Sequence, residues 1–149
     1  MKVYEVMTKR LHTVQPHDSF EKIVKLLVSK RVTGVPVVGK SGKIVGVISE
    51  KDLFYKLFPS KKEFYKDLEY YMNFENLEKE ASGVLKLTAK DLMTKKVVSV
   101  GSDDHVLKAC SLFLIHNIRR LPVIDDGVLV GIVTTNNIYK NFLSSLISK

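Results

Sequence analysis

The chain repeats itself, and that constrains its fold more than any other feature. Val6-Met7-Thr8-Lys9 returns as Leu92-Met93-Thr94-Lys95, an offset of 86. At that offset Val14 matches Val100, Asp18 matches Asp104, Lys22 matches Lys108, Leu26 matches Leu112, and Pro36-Val37 matches Pro122-Val123. One residue fewer in the next turn shifts the offset to 85, where Val45-Gly46 matches Val130-Gly131. Residues 1–56 and 88–149 therefore read as two repeats, and 57–87 as an insertion between them. A unit of about 50 residues cannot bury a sheet by itself, so the two copies must share their packing.

Each copy has the same internal order. A Met-Thr segment leads to a short apolar stretch, His12-Thr13-Val14 or Val98-Ser99-Val100. A helix follows. In the first copy Asp18 with Glu21 three residues on has the pattern of a capping box, and Phe20, Ile23, Val24 and Leu27 share a face. In the second copy the helix is expected to begin near Asp103 or Asp104 and to use Val106, Ala109, Cys110 and Phe113. Two strands come next, 35–38 and 43–48, then 121–124 and 128–133, joined by the turn sequences Gly39-Lys40-Ser41-Gly42 and Asp125-Asp126-Gly127. A second helix starts after Ser49 and after Thr134. The expected fold is α+β: two pseudo-symmetric strand-helix-strand-strand-helix repeats, packed sheet to sheet with helices outside and a helical insertion between them.

Composition narrows the function classes. With 45% hydrophobic and 27% charged residues over 149 positions, the chain is globular, and no apolar run reaches a membrane span. The start lacks a signal-peptide pattern and the lone Cys110 closes no internal disulfide, so we expect a soluble cytoplasmic protein. The 24 basic against 16 acidic residues give a formal charge of +8, which favours anionic partners. His12, His17, His105 and His116 lack metal-ligand spacing, and neither a nucleophile motif nor a phosphate-binding glycine-lysine loop occurs. No enzyme, metal or required cofactor is expected. Met7 and Met93 are read as filling gaps between their segments and the sheet, and Cys110 as packing.

The ordered set of motifs resembles a tandem cystathionine β-synthase (CBS) domain pair. It is carried by Val6-Met7-Thr8, Gly34-Val35-Pro36-Val37-Val38 and Gly46-Val47-Ile48-Ser49-Glu50-Lys51-Asp52. In the second copy it is carried by Leu92-Met93-Thr94, Arg119-Arg120-Leu121-Pro122-Val123-Ile124-Asp125 and Gly131-Ile132-Val133-Thr134-Thr135-Asn136-Asn137. The resemblance implies a regulatory module, commonly a homodimer, that binds AMP, ADP, ATP or S-adenosylmethionine between the repeats. The expected mechanism is a conformational change passed to a partner, either a separate effector chain or the protein's own oligomer. It implies that Asp52 accepts both ribose hydroxyls and that Ser49 contacts sugar or phosphate. It also implies that backbone around Thr13-Val14 and Val35-Pro36-Val37 flanks the adenine.

Chemistry supports those roles, since a carboxylate is an acceptor-only group suited to a diol. Ser49 with Asp52, and Thr134 with Asn137, also fit plain helix capping. In the second copy Asn137 replaces Asp, which should weaken a sugar contact by about 1–2 kcal/mol. One good site per chain is therefore expected. Arg119 or Arg120, just before a strand, is a candidate phosphate ligand, whereas Lys30, Arg31 and His116 suit helix ends.

The insertion region is the individual feature. Residues 54–74 hold eight of the thirteen aromatics. Pro59-Ser60 with Glu63 signals a helix start, and Phe64, Leu68, Tyr71 and Met72 would share a face over one or two extra helices. These could pack on their own module or form a subunit interface. Two other readings stand beside the ligand sensor: a basic nucleic-acid-binding protein using these aromatics, and a structural dimer with vestigial clefts.

Overall fold

The computed structural model describes residues 1–148. In chain order the elements are α1 (Val3–Val6), α2 (Phe20–Lys30), β1 (Gly34–Val38), β2 (Ile44–Ser49), α3 (Glu50–Leu57), α4 (Lys61–Lys66), α5 (Leu68–Met72), α6 (Phe74–Ala81), α7 (Ala89–Leu92), α8 (Val106–His116), β3 (Arg120–Asp125), β4 (Val128–Thr134), α9 (Thr135–Ile138) and α10 (Ser144–Ile147). A 3-10 turn, Ser82–Lys86, precedes α7, and one wide helical turn, Tyr139–Leu143, joins α9 to α10. β1 pairs with β2, and β3 with β4. The fold is mixed helix and strand with small sheets. Among the described residues no helix is long and apolar enough to cross a membrane.

The chain divides into two compact units that do not coincide with the repeats. One comprises His12–Lys40 and Val45–Lys95, and the other Met1–Leu11, Ser41–Ile44 and Lys96–Lys149. Each repeat's Met-Thr segment therefore belongs with the other repeat's hairpin. In the β1–β2 unit, Thr94 and Val47 exchange backbone hydrogen bonds of 2.9 and 3.1 Å. In the β3–β4 unit, Thr8 and Ile132 do the same at 2.8 and 3.0 Å.

Methionine and glycine lock these segments down. A Cβ on Gly46 would lie 2.5 Å from the Met93 sulfur, and one on Gly131 would lie 2.6 Å from the Met7 sulfur. The bare glycine backbone thus gives each thioether its place against the strand, as expected for Met7 and Met93.

The cores repeat the same logic. Val14, Ile23, Leu27, Val35, Val37, Ile48, Leu53, Ala89 and Leu92 form one buried cluster. Val3, Val6, Val100, Val106, Ala109, Phe113, Leu121, Val123, Val133 and Ile138 form the other, with Cys110 packed against it. The stretches expected as first strands shrink to single parallel bridges, Val14 beside Val37 and Val100 beside Val123.

Both first-helix starts differ from the sequence expectation. Ser19, not Asp18, caps α2, its hydroxyl accepting from Lys22 N–H at 3.2 Å. Asp18 is instead buried, accepting from Gln15 N–H at 2.8 Å and pairing with Lys22 Nζ at 2.9 Å. In the second copy His105 caps α8, and Asp104 accepts from Gly101 N–H and Lys108 Nζ. The acid thus ties the loop before the helix, and the following residue caps it. Both helices end on a left-handed residue, Arg31 at φ 52° and Asn117 at φ 50°. The β3–β4 turn has Asp126 and Gly127 both at positive φ, the geometry a two-residue hairpin needs.

The insertion departs from the single apolar face expected. Ser60 and Glu63 do form a capping box for α4. Asp67 then caps α5 and Asn73 caps α6, each side chain accepting from a backbone N–H two or three residues on. Those caps restart the helix twice, so Leu68 and Met72 are left exposed while Phe64 stacks on Tyr71 at 5.9 Å.

Candidate functional site

At the join of β2 and α3, the strand runs out and the first helical N–H groups lack partners. Ser49 meets that need: its hydroxyl oxygen accepts from Asp52 N–H at 3.3 Å. Asp52 answers through one carboxylate oxygen, Oδ2, which accepts from Ser49 N–H at 2.8 Å and Ser49 Oγ at 3.1 Å. Its other oxygen, Oδ1, faces the Thr94 hydroxyl at 3.4 Å, a long contact. The box thus fixes the carboxylate and leaves Oδ1 the less committed atom. A carboxylate held this way keeps lone pairs for further donors.

The second copy repeats the scaffold with altered chemistry. Thr134 caps α9, and Asn137 Oδ1 accepts from Thr134 N–H at 2.8 Å and Thr134 Oγ1 at 2.9 Å. The outward atom is therefore the amide nitrogen, 3.5 Å from the Thr8 hydroxyl. An NH2 group cannot accept from a sugar diol, so the exchange of Asp for Asn replaces an acceptor by a donor at that point. The sequence reading does not include Thr8 and Thr94 among the site residues. Their signal was the Met-Thr pair returning at the fixed offset.

The remaining candidates fall into the two units. Thr13 is exposed, and Val14, Val35, Pro36 and Val37 are buried beside it. The valine side chains belong to the core, so only backbone there is left to face a ligand. Part of that backbone is committed: Val14 N–H donates to Pro36 O at 3.1 Å, and Val14 O accepts from Val38 N–H at 2.8 Å. Glu50 N–H donates to Thr33 O at 2.8 Å, which ties the start of α3 to the start of β1. Arg119 and Arg120 lie in the other unit. Arg120 pairs in register with Thr134, and Thr135 N–H donates to Arg119 O at 3.0 Å. The arginines therefore stand in the same unit as Asn137. Among the described residues no group of His, Cys, Asp or Glu is arranged to hold a metal.

Comparison with known proteins agrees with this architecture. A family model for the CBS domain matches residues 3–58 and 89–144. The chain is 30% identical to the uncharacterized protein MJ1426 of Methanocaldococcus jannaschii over 93% of this chain and 89% of that one. It is 35% identical to the chloroplastic CBS domain-containing protein CBSX2 of Arabidopsis thaliana, over 93% of this chain but only 62% of the plant protein. CBSX2 solved in complex with AMP superposes with a TM-score of 0.74 at 34% identity, covering 96% of this chain and 97% of that one. The CBS domain pair of protein MJ0100, solved with 5-methylthioadenosine and S-adenosyl-L-methionine, gives 0.72 at 25% identity, covering 97% and 98%. A duplicated hairpin-and-cap scaffold matched twice by one family model settles the relationship: the chain belongs to the CBS-domain family, as a tandem pair.

Proposed function

We propose that this chain is a regulatory module that binds an adenosine-containing ligand, with Asp52 as the acceptor for the ribose hydroxyls. One observation carries the reading: the capping box pins Asp52 Oδ2, while Oδ1 has only a long contact with Thr94. The ligands of two similar proteins, AMP in one and 5-methylthioadenosine with S-adenosyl-L-methionine in the other, have adenosine in common. Ser49 is a positioning residue, because its hydroxyl is spent on the box, and the role is binding without catalysis. Arg119 and Arg120 are proposed as phosphate ligands of the other unit, where Asn137 offers the sugar no acceptor.

Regulation then follows from differential affinity. A ligand shifts the module between two arrangements only as far as it binds one better, and the change is passed to a separate effector chain. A second copy of this chain is proposed to cover the outer face of α8, where Leu114 and Ile115 are 83% and 73% exposed. The insertion aromatics fit a nucleic-acid role poorly: Tyr70 donates its hydroxyl to Glu80, and Glu63 and Asp67 lie near Tyr71.

Thermal unfolding with AMP, ADP, ATP and S-adenosylmethionine tests the reading. Ligand at 100 times its Kd stabilises by about 2.7 kcal/mol, or about 5–10 °C for a chain of this size. We expect at least one of the four to do so in the wild type and not in Asp52→Ala. A shift equal in both proteins, or none with any ligand, refutes it.

A further inference from the structure

The β1–β2 unit carries a concave feature at the far end of β1 from Asp52. It is a cavity of about 330 Å³ whose lining includes Pro16, His17, Val38, Lys40, Thr88 and Lys90. Its floor is largely apolar, and its three basic groups come from three separately anchored segments. His17 lies in the loop before α2, Lys40 follows β1, and Lys90 sits in α7, whose backbone N–H donates to Pro16 O at 2.9 Å. The nearby carboxylate, Asp18, is occupied by Lys22 Nζ and Gln15 N–H, with His17 Nε2 at 4.0 Å.

The other unit supplies an internal control. The same backbone bonds recur 86 residues away: Tyr4 N–H to Ser102 O matches Lys90 to Pro16, and Ile124 N–H to Val100 O matches Val38 to Val14. At the equivalent places Asp103 stands for His17, Asp126 for Lys40 and Tyr4 for Lys90. Asp125, standing where the first copy has Gly39, accepts from Ser102 N–H at 2.9 Å, and Lys2 Nζ pairs with Asp103 at 3.4 Å. The scaffold therefore supports acids as readily as bases, and the basic lining is a property of this one unit.

We propose that this cavity is a separate binding site for a small molecule that carries a terminal phosphate on an apolar body. Two ammonium groups and an imidazole suit a tetrahedral dianion, and Pro16 with Val38 suits carbon. The volume lies at the small end of ligand pockets, enough for a phosphate and a ring. The site is independent of Asp52.

The test is a two-dimensional amide NMR titration of the full chain with phenyl phosphate and, separately, inorganic phosphate. Saturable shifts centred on His17, Lys40 and Lys90, tighter for phenyl phosphate, are expected. Lys90→Ala should weaken binding about fivefold and Lys40→Asp, which installs the other unit's residue, about 25-fold. Both side chains are exposed, so both variants should fold. Asp52→Ala should leave the affinity unchanged, which separates this site from the adenosine reading. Shifts that do not saturate, that spread over all surface lysines, or that survive both lysine variants overturn the proposal. Equal affinity for inorganic phosphate overturns the apolar-body part of it.

Discussion

Substituting Gly46 by Ala places a methyl carbon 2.5 Å from Met93 Sδ, 2.8 Å from Cγ and 3.0 Å from Cβ. Ordinary contacts start near 3.4 Å, so the Met93 side chain must move by about 1 Å, a displacement that in a packed interior costs about 1–3 kcal/mol. Midway, about 2 kcal/mol, the melting temperature should fall by about 4–8 °C. The atoms in the way all belong to one side chain, which makes the cost removable. Met93→Ala lowers stability alone, but the double variant should be more stable than the sum of the singles by about 1–2 kcal/mol. Met7 packs on Gly131 in the other unit, so Gly46→Ala with Met7→Ala should be additive. Urea unfolding of the single and double variants measures both cycles. Additivity in the Met93 cycle, or coupling to Met7 in its place, would refute the exchange of Met-Thr segments between repeats.

Three further outcomes follow from particular residues. Arg31 takes a left-handed conformation at φ 52° that glycine adopts freely, so Arg31→Gly should raise stability by about 0.5–1 kcal/mol in urea melts. Burial pushes the Asp18 carboxyl upward, but Gln15 N–H and Lys22 outweigh it and hold it below the usual carboxylate range. Its stabilisation is then present above the unfolded pKa, near 4, and lost as pH falls through the lower folded value. Asp18→Asn should cost about 1–3 kcal/mol at pH 7, with the gap to wild type narrowing towards pH 2 in paired denaturation curves. Asn137→Asp restores an acceptor beside Thr8 and should add a second adenosine site, raising calorimetric stoichiometry from one per chain to two.

Much of this was legible in the sequence because duplication prints every constraint twice. The hairpins, the helices after Ser49 and Thr134, and the methionines against the sheet all left matched residues at an offset of 86 or 85. What stayed hidden was pairing across the chain. No local pattern says that Met93 covers Gly46 and not the glycine of its own repeat, since both hairpins offer the same bare strand. The α2 cap lies one residue beyond the position the sequence suggests because Asp18 and Ser19 are both good caps, and only burial beside Lys22 and Gln15 N–H decides between them. In the insertion, Asp67 and Asn73 compete with helix continuation through their own side chains, which an apolar period cannot register. Asp52 was visible as a candidate, but its two oxygens became distinct only once Ser49 and Thr94 were in place around it.

The most direct measurement of the central claim is a calorimetric titration of AMP, ADP, ATP and S-adenosylmethionine into the wild type and Asp52→Ala. Saturable binding of at least one of the four, near one per chain, is expected, abolished by the substitution while the variant's fold, read by circular dichroism, is unchanged. Undiminished binding to a folded Asp52→Ala would contradict it.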